Sequence, residues 1–326
     1  MISIREVAKL AGTSPATVSR VLNGTAKVSQ EKEERILRVI KETGYVPNEA
    51  ARVLFKKTSK TIGLVIPSIR NPYFTELASH VDASAEKYGY RPILFCTNYD
   101  PEKEKAAIQS LISTSADAII VASCTESIKE TLANCPVLVV ALDATFVDAN
   151  VKACIYCDYY EGGRLAAEHL INCGCKNIVC IKGPQNRYSA KARYQGYADV
   201  CKERDIPEQT IECDYDFIRG LAMTEELLNK YPGVDGIIAC NDIVAISTYK
   251  VLRKRGIIVP DNIQLVGFDD ISIATLLSPE LTTISQPIET MVETAINLIA
   301  DQEWDERSSV NIIYPVSLIQ RQTTKQ

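Results

Sequence analysis

Seven short apolar runs recur between residues 62 and 268, at 62–66, 92–97, 118–122, 137–142, 177–182, 236–240 and 263–268. Between them lie stripes at helical spacing, such as Phe74, Leu77, Ala78, Val81, Ala85 and Tyr88, or Tyr194, Tyr197, Ala198 and Cys201. Continuously apolar strands alternating with amphipathic helices require parallel sheets covered on both faces. There are too many strands for one comfortable doubly wound sheet, so the pattern predicts two similar α/β lobes with the break near residues 157–160.

The first 46 residues follow a different pattern. Ser3 and Glu6 fit a capping box, Val7, Ala8, Leu10 and Ala11 supply an apolar stripe, and Gly12 suits a left-handed exit. Ser14 is placed as a second N-cap with Pro15 at the first helical position. Val18, Val21 and Leu22 share one face of this second helix, leaving Ala16, Thr17, Ser19, Arg20 and Asn23 on the rest. Ser29 is read as the cap of a third helix with Ile36, Val39 and Ile40 inward and Gly44 just past its end, over which Tyr45 and Val46 can fold. Two capped helices joined by a tight turn match a helix-turn-helix. An ordinary helical hairpin would carry long Glu/Lys pairs outside; this face carries short hydroxyls, Arg and Asn, which suit phosphate oxygens and base edges.

Charge supports that division. Residues 1–60 hold 12 Lys/Arg against 6 Asp/Glu, whereas the whole chain has a net charge of −5. A basic head on an acidic body directs only the head toward a polyanion. The segment that follows, 47–57, is too short to hold a helix alone, because isolated helices below about 12 residues are marginal in water. Its run Val53, Leu54, Phe55 is more apolar than a linker needs. A side chain there could wedge into a minor groove while Lys56 and Lys57 touch phosphates.

In open parallel sheets, ligands bind beyond the carboxyl ends of the strands. The residues that follow the apolar runs are Tyr73 and Phe74, Asp143, Arg187, Ser189 and Arg193, Tyr215, Asn241, and Asp269. Carboxylates, amides, guanidinium groups and aromatic faces together suit a small polyhydroxylated ligand. Taken singly, Asn241 and Asp269 could be caps, and Tyr73 and Phe74 could be core. No G-x-G-x-x-G, P-loop or G-x-S-x-G is present. The only histidines, His80 and His169, both fall inside amphipathic helical stripes, so catalysis, a metal site and a cofactor are not expected. Eleven dispersed cysteines, no leader before Ile4 and no apolar run of about 18 residues fit reduced thiols in the cytoplasm with no membrane partner. A zinc site at Cys154, Cys157, Cys173 and Cys175 is disfavoured, because positions three apart on a strand face opposite ways.

From about Ile2 to Thr323 the chain resembles the LacI/GalR family of bacterial transcriptional regulators. The carrying motifs are Ile4-Arg-Glu-Val-Ala8, Thr17-Val-Ser-Arg-Val-Leu-Asn-Gly24, Gly44-Tyr-Val-Pro-Asn48, Asn71-Pro-Tyr-Phe74, Asn241-Asp242, Gly267-Phe-Asp-Asp270, 281–287 and 318–321. The resemblance implies a helix-turn-helix head at 1–46, a hinge helix and linker at 47–60, and an effector-binding and dimerisation domain at 61–326. Its N-lobe would comprise 61–157 plus 288–309 and its C-lobe 158–287 plus 310–326, with lobe crossings near 157–160, 286–288 and 308–312. It also implies a sequence-specific repressor of a carbohydrate-utilisation operon, controlled by a sugar-type effector between the lobes and bound to a pseudo-palindromic double-stranded operator as a homodimer. Ser14, Ala16, Thr17, Ser19, Arg20, Asn23, Ala51 and Leu54 would contact DNA. Tyr73 or Phe74, Asp143, Arg187, Ser189, Arg193, Tyr215, Asn241 and Asp269 would line the effector cleft. Pro15 and Ala16 stand where several relatives place polar base readers. The absence of leucine heptads after residue 321 favours dimers over tetramers.

Overall fold

The computed structural model describes residues 2–23, 28–45, 58–146, 150–301 and 309–325. The chain divides into two units, Met1–Ser59 and Lys60–Gln326. In the first, helices α1 (Ile4–Leu10), α2 (Pro15–Asn23) and α3 (Gln30–Thr43) form as the caps dictate. The Glu6 amide donates to Ser3 Oγ at 3.3 Å while the Glu6 carboxylate accepts from the Ser3 N–H at 2.7 Å. These bonds hold the Glu6 carboxyl below its ordinary range. Ser14 Oγ accepts from the Thr17 N–H at 3.2 Å, which caps α2. Gly12 and Gly44 take left-handed φ of 60° and 62° at the ends of α1 and α3.

Val7, Ala8, Ala11, Val18 and Ile36 are fully buried, and Val21, Leu22, Val39, Ile40 and Tyr45 pack around them. Two details differ from expectation. Leu10 is 61% exposed, because it lies about 100° around α1 from the centre of the Val7, Ala8, Ala11 face. Ser29 stands at the N-cap of α3, yet its side chain makes no cap bond. Ala51 and Leu54 lie outside the described residues, as do positions 46–57 generally and the side chain of Asn23.

The second unit holds two six-stranded sheets. The first is built from β1 (Thr61–Ile66), β2 (Arg91–Cys96), β3 (Ala118–Ala122), β4 (Leu138–Leu142), β5 (Ala153–Cys157) and β11 (Val310–Tyr314). The second uses β6 (Ile178–Lys182), β7 (Gln209–Glu212), β8 (Gly236–Ile238), β9 (Gln264–Asp269), β10 (Thr282–Ser285) and β12 (Ser317–Ile319). Their strand orders, β11-β5-β4-β3-β1-β2 and β12-β10-β9-β8-β6-β7, repeat one topology. Every neighbouring pair is parallel except β10 with β12. The central strands β3 and β5 are buried throughout, as the apolar runs required.

The helices relevant below are α4 (Pro72–Glu86), α5 (Pro101–Ser113), α6 (Lys129–Ala133), α7 (Tyr159–Asn172), α8 (Tyr188–Glu203), α9 (Phe217–Lys230), α10 (Asp242–Lys254) and α11 (Ile288–Ala300). The chain passes between sheets at Asp158, where β5 gives way to α7, and at 286–287, where β10 gives way to α11. The assignment of 310–326 to the C-lobe needs correction. Residues 310–314 form β11, which pairs in parallel with β5 of the first sheet. The third crossing therefore falls at 315–316, later than the expected 308–312. As an edge strand, β11 shows half-buried and exposed positions in alternation, so it lacks the continuous apolar run that marks a central strand. Among the described residues, no helix is long and apolar enough to cross a membrane. No group of His, Cys, Asp and Glu there could hold a metal; Cys154 and Cys157 are simply buried in β5.

Candidate functional site

The nine residues named from strand exits are Tyr73, Phe74, Asp143, Arg187, Ser189, Arg193, Tyr215, Asn241 and Asp269, and all of them line one cleft. It encloses about 680 Å³ of unoccupied space, part of it open to solvent. Tyr73 and Phe74 are brought there by the first turn of α4, which Asn71 caps with its carbonyl on the Tyr73 N–H at 3.2 Å. Arg187, Ser189 and Arg193 come from the start of α8, and Asn241 caps α10 by accepting from the Val244 N–H at 3.0 Å. Tyr99, Ser123, Thr125 and Tyr188 also line the cleft and were not singled out from sequence. Tyr99 and Ser123 obey the same strand-exit rule, following β2 and β3.

The chain bends sharply to aim these groups. Tyr99, Ser123, Asp143 and Asp269 have φ of 60°, 49°, 51° and 120°. Such backbone costs on the order of 1 kcal/mol or more per residue and concentrates where a site overrules local preference.

Charges in the cleft are buried and interlocked. Asp143 accepts from the hydroxyls of Ser123 and Tyr159, and burial raises its pKa above the ordinary carboxylate value. Arg193 Nη1 donates to the Cys240 carbonyl at 2.8 Å, and its Nη2 lies 3.5 Å from Asp269 Oδ1. The guanidinium sits 3.6 Å from the ring centroid of Phe268. Gln286 Nε2 donates to Asp269 Oδ1 at 2.7 Å. Burial pushes Asp269 up to about 7, opposed by Arg193. Beside it, Asp242 is fully buried and raised by burial and then by the charge of Asp269. Asp242 accepts from the Ile271 N–H at 3.0 Å and Thr283 Oγ1 at 2.6 Å, so its role is to pin β9 and β10. Across the mouth, Arg187 Nη1 donates to the Ser123 carbonyl at 2.9 Å and stacks 4.6 Å from the Tyr99 ring. Three buried polar atoms of lining residues have no hydrogen-bond partner: Tyr73 Oη, Arg193 Nε and Tyr215 Oη.

These shifts set a pH dependence. A carboxyl raised on folding stabilises fully below its unfolded value of about 3.9, and that stabilisation is lost as pH rises through the folded value. For Asp269 the loss is complete above about 7. The thermal midpoint of Asp269→Asn minus that of the parent protein is therefore expected to increase between pH 4 and pH 7.5. A flat difference in scanning calorimetry would mean that Asp269 is ionised throughout.

In the head, Ser14, Ala16 and Arg20 are exposed on and just before α2, while Thr17 and Ser19 are half-buried. The hydroxyls of Ser14 and Thr17 hydrogen-bond each other at 2.9 Å. Ser14 thus orders the helix start whatever else it contacts.

Comparison with known proteins accounts for both units. Residues 3–48 match the family described as bacterial regulatory proteins, lacI family, and residues 59–322 match periplasmic binding proteins and sugar binding domain of LacI family. The ribose operon repressor of Halalkalibacterium halodurans is 39% identical over 327 residues, covering 100% of this chain and 98% of that protein. A periplasmic binding protein/LacI transcriptional regulator from Alkaliphilus metalliredigens, solved in complex with D-xylulofuranose, is 36% identical with a TM-score of 0.74, over 82% of this chain and 100% of that one. The lac repressor dimer bound to operator and the anti-inducer ONPF gives a TM-score of 0.86 at 25% identity, over 99% and 98% of the two chains. The chain belongs to the LacI family of bacterial transcriptional regulators, with a DNA-binding helix-turn-helix head followed by the family's two-lobed sugar-binding domain.

Proposed function

We propose that this cytoplasmic protein, which is not an enzyme, represses a carbohydrate-utilisation operon as a homodimer on a pseudo-palindromic operator, under control of a pentose-type sugar held between the lobes. The observation that carries the ligand class is the cleft itself. It sets two carboxyl groups, the half-buried Asp143 and the buried Asp269, among aromatic faces and the unpartnered polar atoms of Tyr73, Arg193 and Tyr215. A ring bearing several hydroxyls pairs those atoms and covers the aromatic faces with its C–H side. An anionic ligand is disfavoured, since Asp143 and Asp269 line the same cleft. The ribose operon repressor and the D-xylulofuranose complex among the relatives support a pentose.

Ser14, Ala16, Thr17, Ser19, Arg20 and Asn23 would read the major groove, while Ala51 and Leu54 would enter the minor groove at the centre of the operator. Ligand reaches the heads through the lobe angle. Besides Arg187 to Ser123, the lobes are joined by Glu76, whose Oε1 accepts from both the N–H and Oγ of Ser272 at 2.8 and 2.7 Å. A ligand touching both lobes favours one angle, and in a dimer that angle sets the spacing of the two heads. A differential affinity of about 1–3 kcal/mol shifts operator occupancy severalfold to a hundredfold.

Ribose, xylulose and other pentoses, with hexoses and polyols as comparators, are expected to include one that stabilises the protein. At 100 times its dissociation constant it adds ~2.7 kcal/mol. That raises the thermal midpoint by roughly 5–10 °C for a domain of this size. The same sugar is expected to change the salt-sensitive affinity for a promoter fragment in a gel-shift titration. A full panel that leaves both measurements unmoved overturns the assignment of the cleft.

A further inference from the structure

Gly183, the residue after β6, is not among the left-handed glycines, so its backbone does not require glycine. The ring of Tyr215 does. A Cβ at position 183 would stand 2.6 Å from Tyr215 Oη and 2.7 Å from two of its ring carbons, closer than non-bonded atoms approach. The phenol thus rests directly on bare backbone, with its hydroxyl buried and without a hydrogen-bond partner. Burial also holds that phenol neutral.

Beside the cleft, within the second lobe, lies a much smaller hollow of about 20 Å³, room for about one water. Its lining combines small or apolar groups, among them Gly163, Ala166, Cys180 and Phe268, with Lys182, Arg193 and Tyr194. Gly183 lines this hollow, Tyr215 lines the cleft, and Arg193 lines both. Arg193 is fixed by the Cys240 carbonyl and the Phe268 ring at 2.8 and 3.6 Å. Arg193 thus stands between the cleft and this hollow, while the phenol of Tyr215 closes the cleft against the backbone of Gly183.

We propose that Tyr215, seated on Gly183, is the end wall that limits the cleft to a single unsubstituted sugar ring, and that this pair determines ligand size specificity. This rests on the cleft reading given above. A ring carrying an alkyl or aryl group toward the second lobe collides with the phenol. Without the phenol, the same group takes the space the ring vacates, against the bare backbone of Gly183.

The experiment compares the dissociation constant of the pentose that binds the parent protein best with those of derivatives bearing one n-propyl group on each hydroxyl in turn. Isothermal titration is carried out on the full chain and on Tyr215→Phe, Tyr215→Ala, Gly183→Ala and the double variant. The parent protein is expected to reject, by roughly 100-fold, the derivative whose propyl group is directed at Tyr215, the upper range for a steric mismatch in a pocket. Tyr215→Phe keeps that rejection while losing about 5- to 10-fold in affinity for the pentose, as for one hydrogen bond. Tyr215→Ala brings that derivative to within about 5-fold of the pentose.

Gly183→Ala keeps the phenol but drives it into the cleft. It should weaken pentose binding about 10-fold or more, and adding Tyr215→Ala should remove most of that loss. It probes the same wall should Tyr215→Ala fail to fold. A folded Tyr215→Ala that still rejects that derivative, or a Gly183→Ala with parental pentose affinity, overturns the end wall while leaving the cleft reading intact. Failure of the parent protein to bind any sugar overturns the cleft reading, and the end wall falls with it.

Discussion

Gly163→Ala lowers the thermal midpoint of the effector unit by roughly 10 °C, although alanine is the better helix former by about 1 kcal/mol. Gly163 lies in α7, and a methyl group there would strike the Arg193 carbonyl oxygen and stand 2.8 Å from its carbon. Gly196 of α8 answers it: a methyl there strikes the Tyr160 carbonyl oxygen and stands 2.9 Å from the Arg164 nitrogen. The obstacles are helix backbone, which cannot rotate away as a side chain would. The helices must separate, an overpacking penalty of about 3 kcal/mol that exceeds the propensity gain. Each kcal/mol corresponds to about 2–4 °C at this size. Gly233→Ala is the control, since nothing lies within 4 Å of its Cβ and its φ is not left-handed; it should shift the midpoint by less than 2 °C or so. Equal effects at both positions, measured by scanning calorimetry, would remove the case for a backbone contact between α7 and α8.

Arg193→Met is expected to reduce sugar affinity by 100-fold or so and to destabilise the protein by about 3 kcal/mol at pH 8, the loss typical of breaking a buried ion pair. The side chains of Arg193 and Asp269 are only 11% and 6% exposed, so solvent screens them little. Asp143 is also lowered by Arg193 against its burial. Removing the cation leaves two carboxylates uncompensated. Both should then protonate at higher pH than before, which turns the loss into a pH signature. At pH 5 Asp269 is largely neutral in either protein, so the variant should lie clearly nearer the parent there than at pH 8. Urea titrations at the two pH values measure this. A destabilisation of the same size at both would assign Arg193 a packing role, filling space against Phe268, rather than an electrostatic one.

What the sequence revealed, and what it withheld, follows from how each element is buried. The central strands are continuous apolar runs because both faces are covered, so β1, β3, β4 and β9 could be found from composition alone. The cleft residues followed from inspecting the ends of such strands. Ser123 is not legible in the same way, because the exit of β3, Ser123-Cys124-Thr125, carries neither a charge nor an aromatic ring. Its importance lies in backbone geometry: its carbonyl receives Arg187 while its hydroxyl serves Asp143. The edge strands were harder. β11 has every second residue exposed, and β12 is only three residues long, so neither carried a readable period and one was placed in the wrong lobe. Leu10 shows the converse limit, since hydrophobicity at roughly helical spacing did not bury it.

The three lobe crossings also govern how the polypeptide can be made. Each sheet receives its final strand only after residue 309: β11 completes one at 310–314 and β12 the other at 317–319. A nascent chain that has passed β10 therefore carries two unfinished sheets at once, with β5 and β10 presenting open edges to any neighbour until residues 310–319 are made. Such edges are templates for aggregation. Premature stop codons between residues 285 and 310 should yield insoluble fragments rather than one intact lobe.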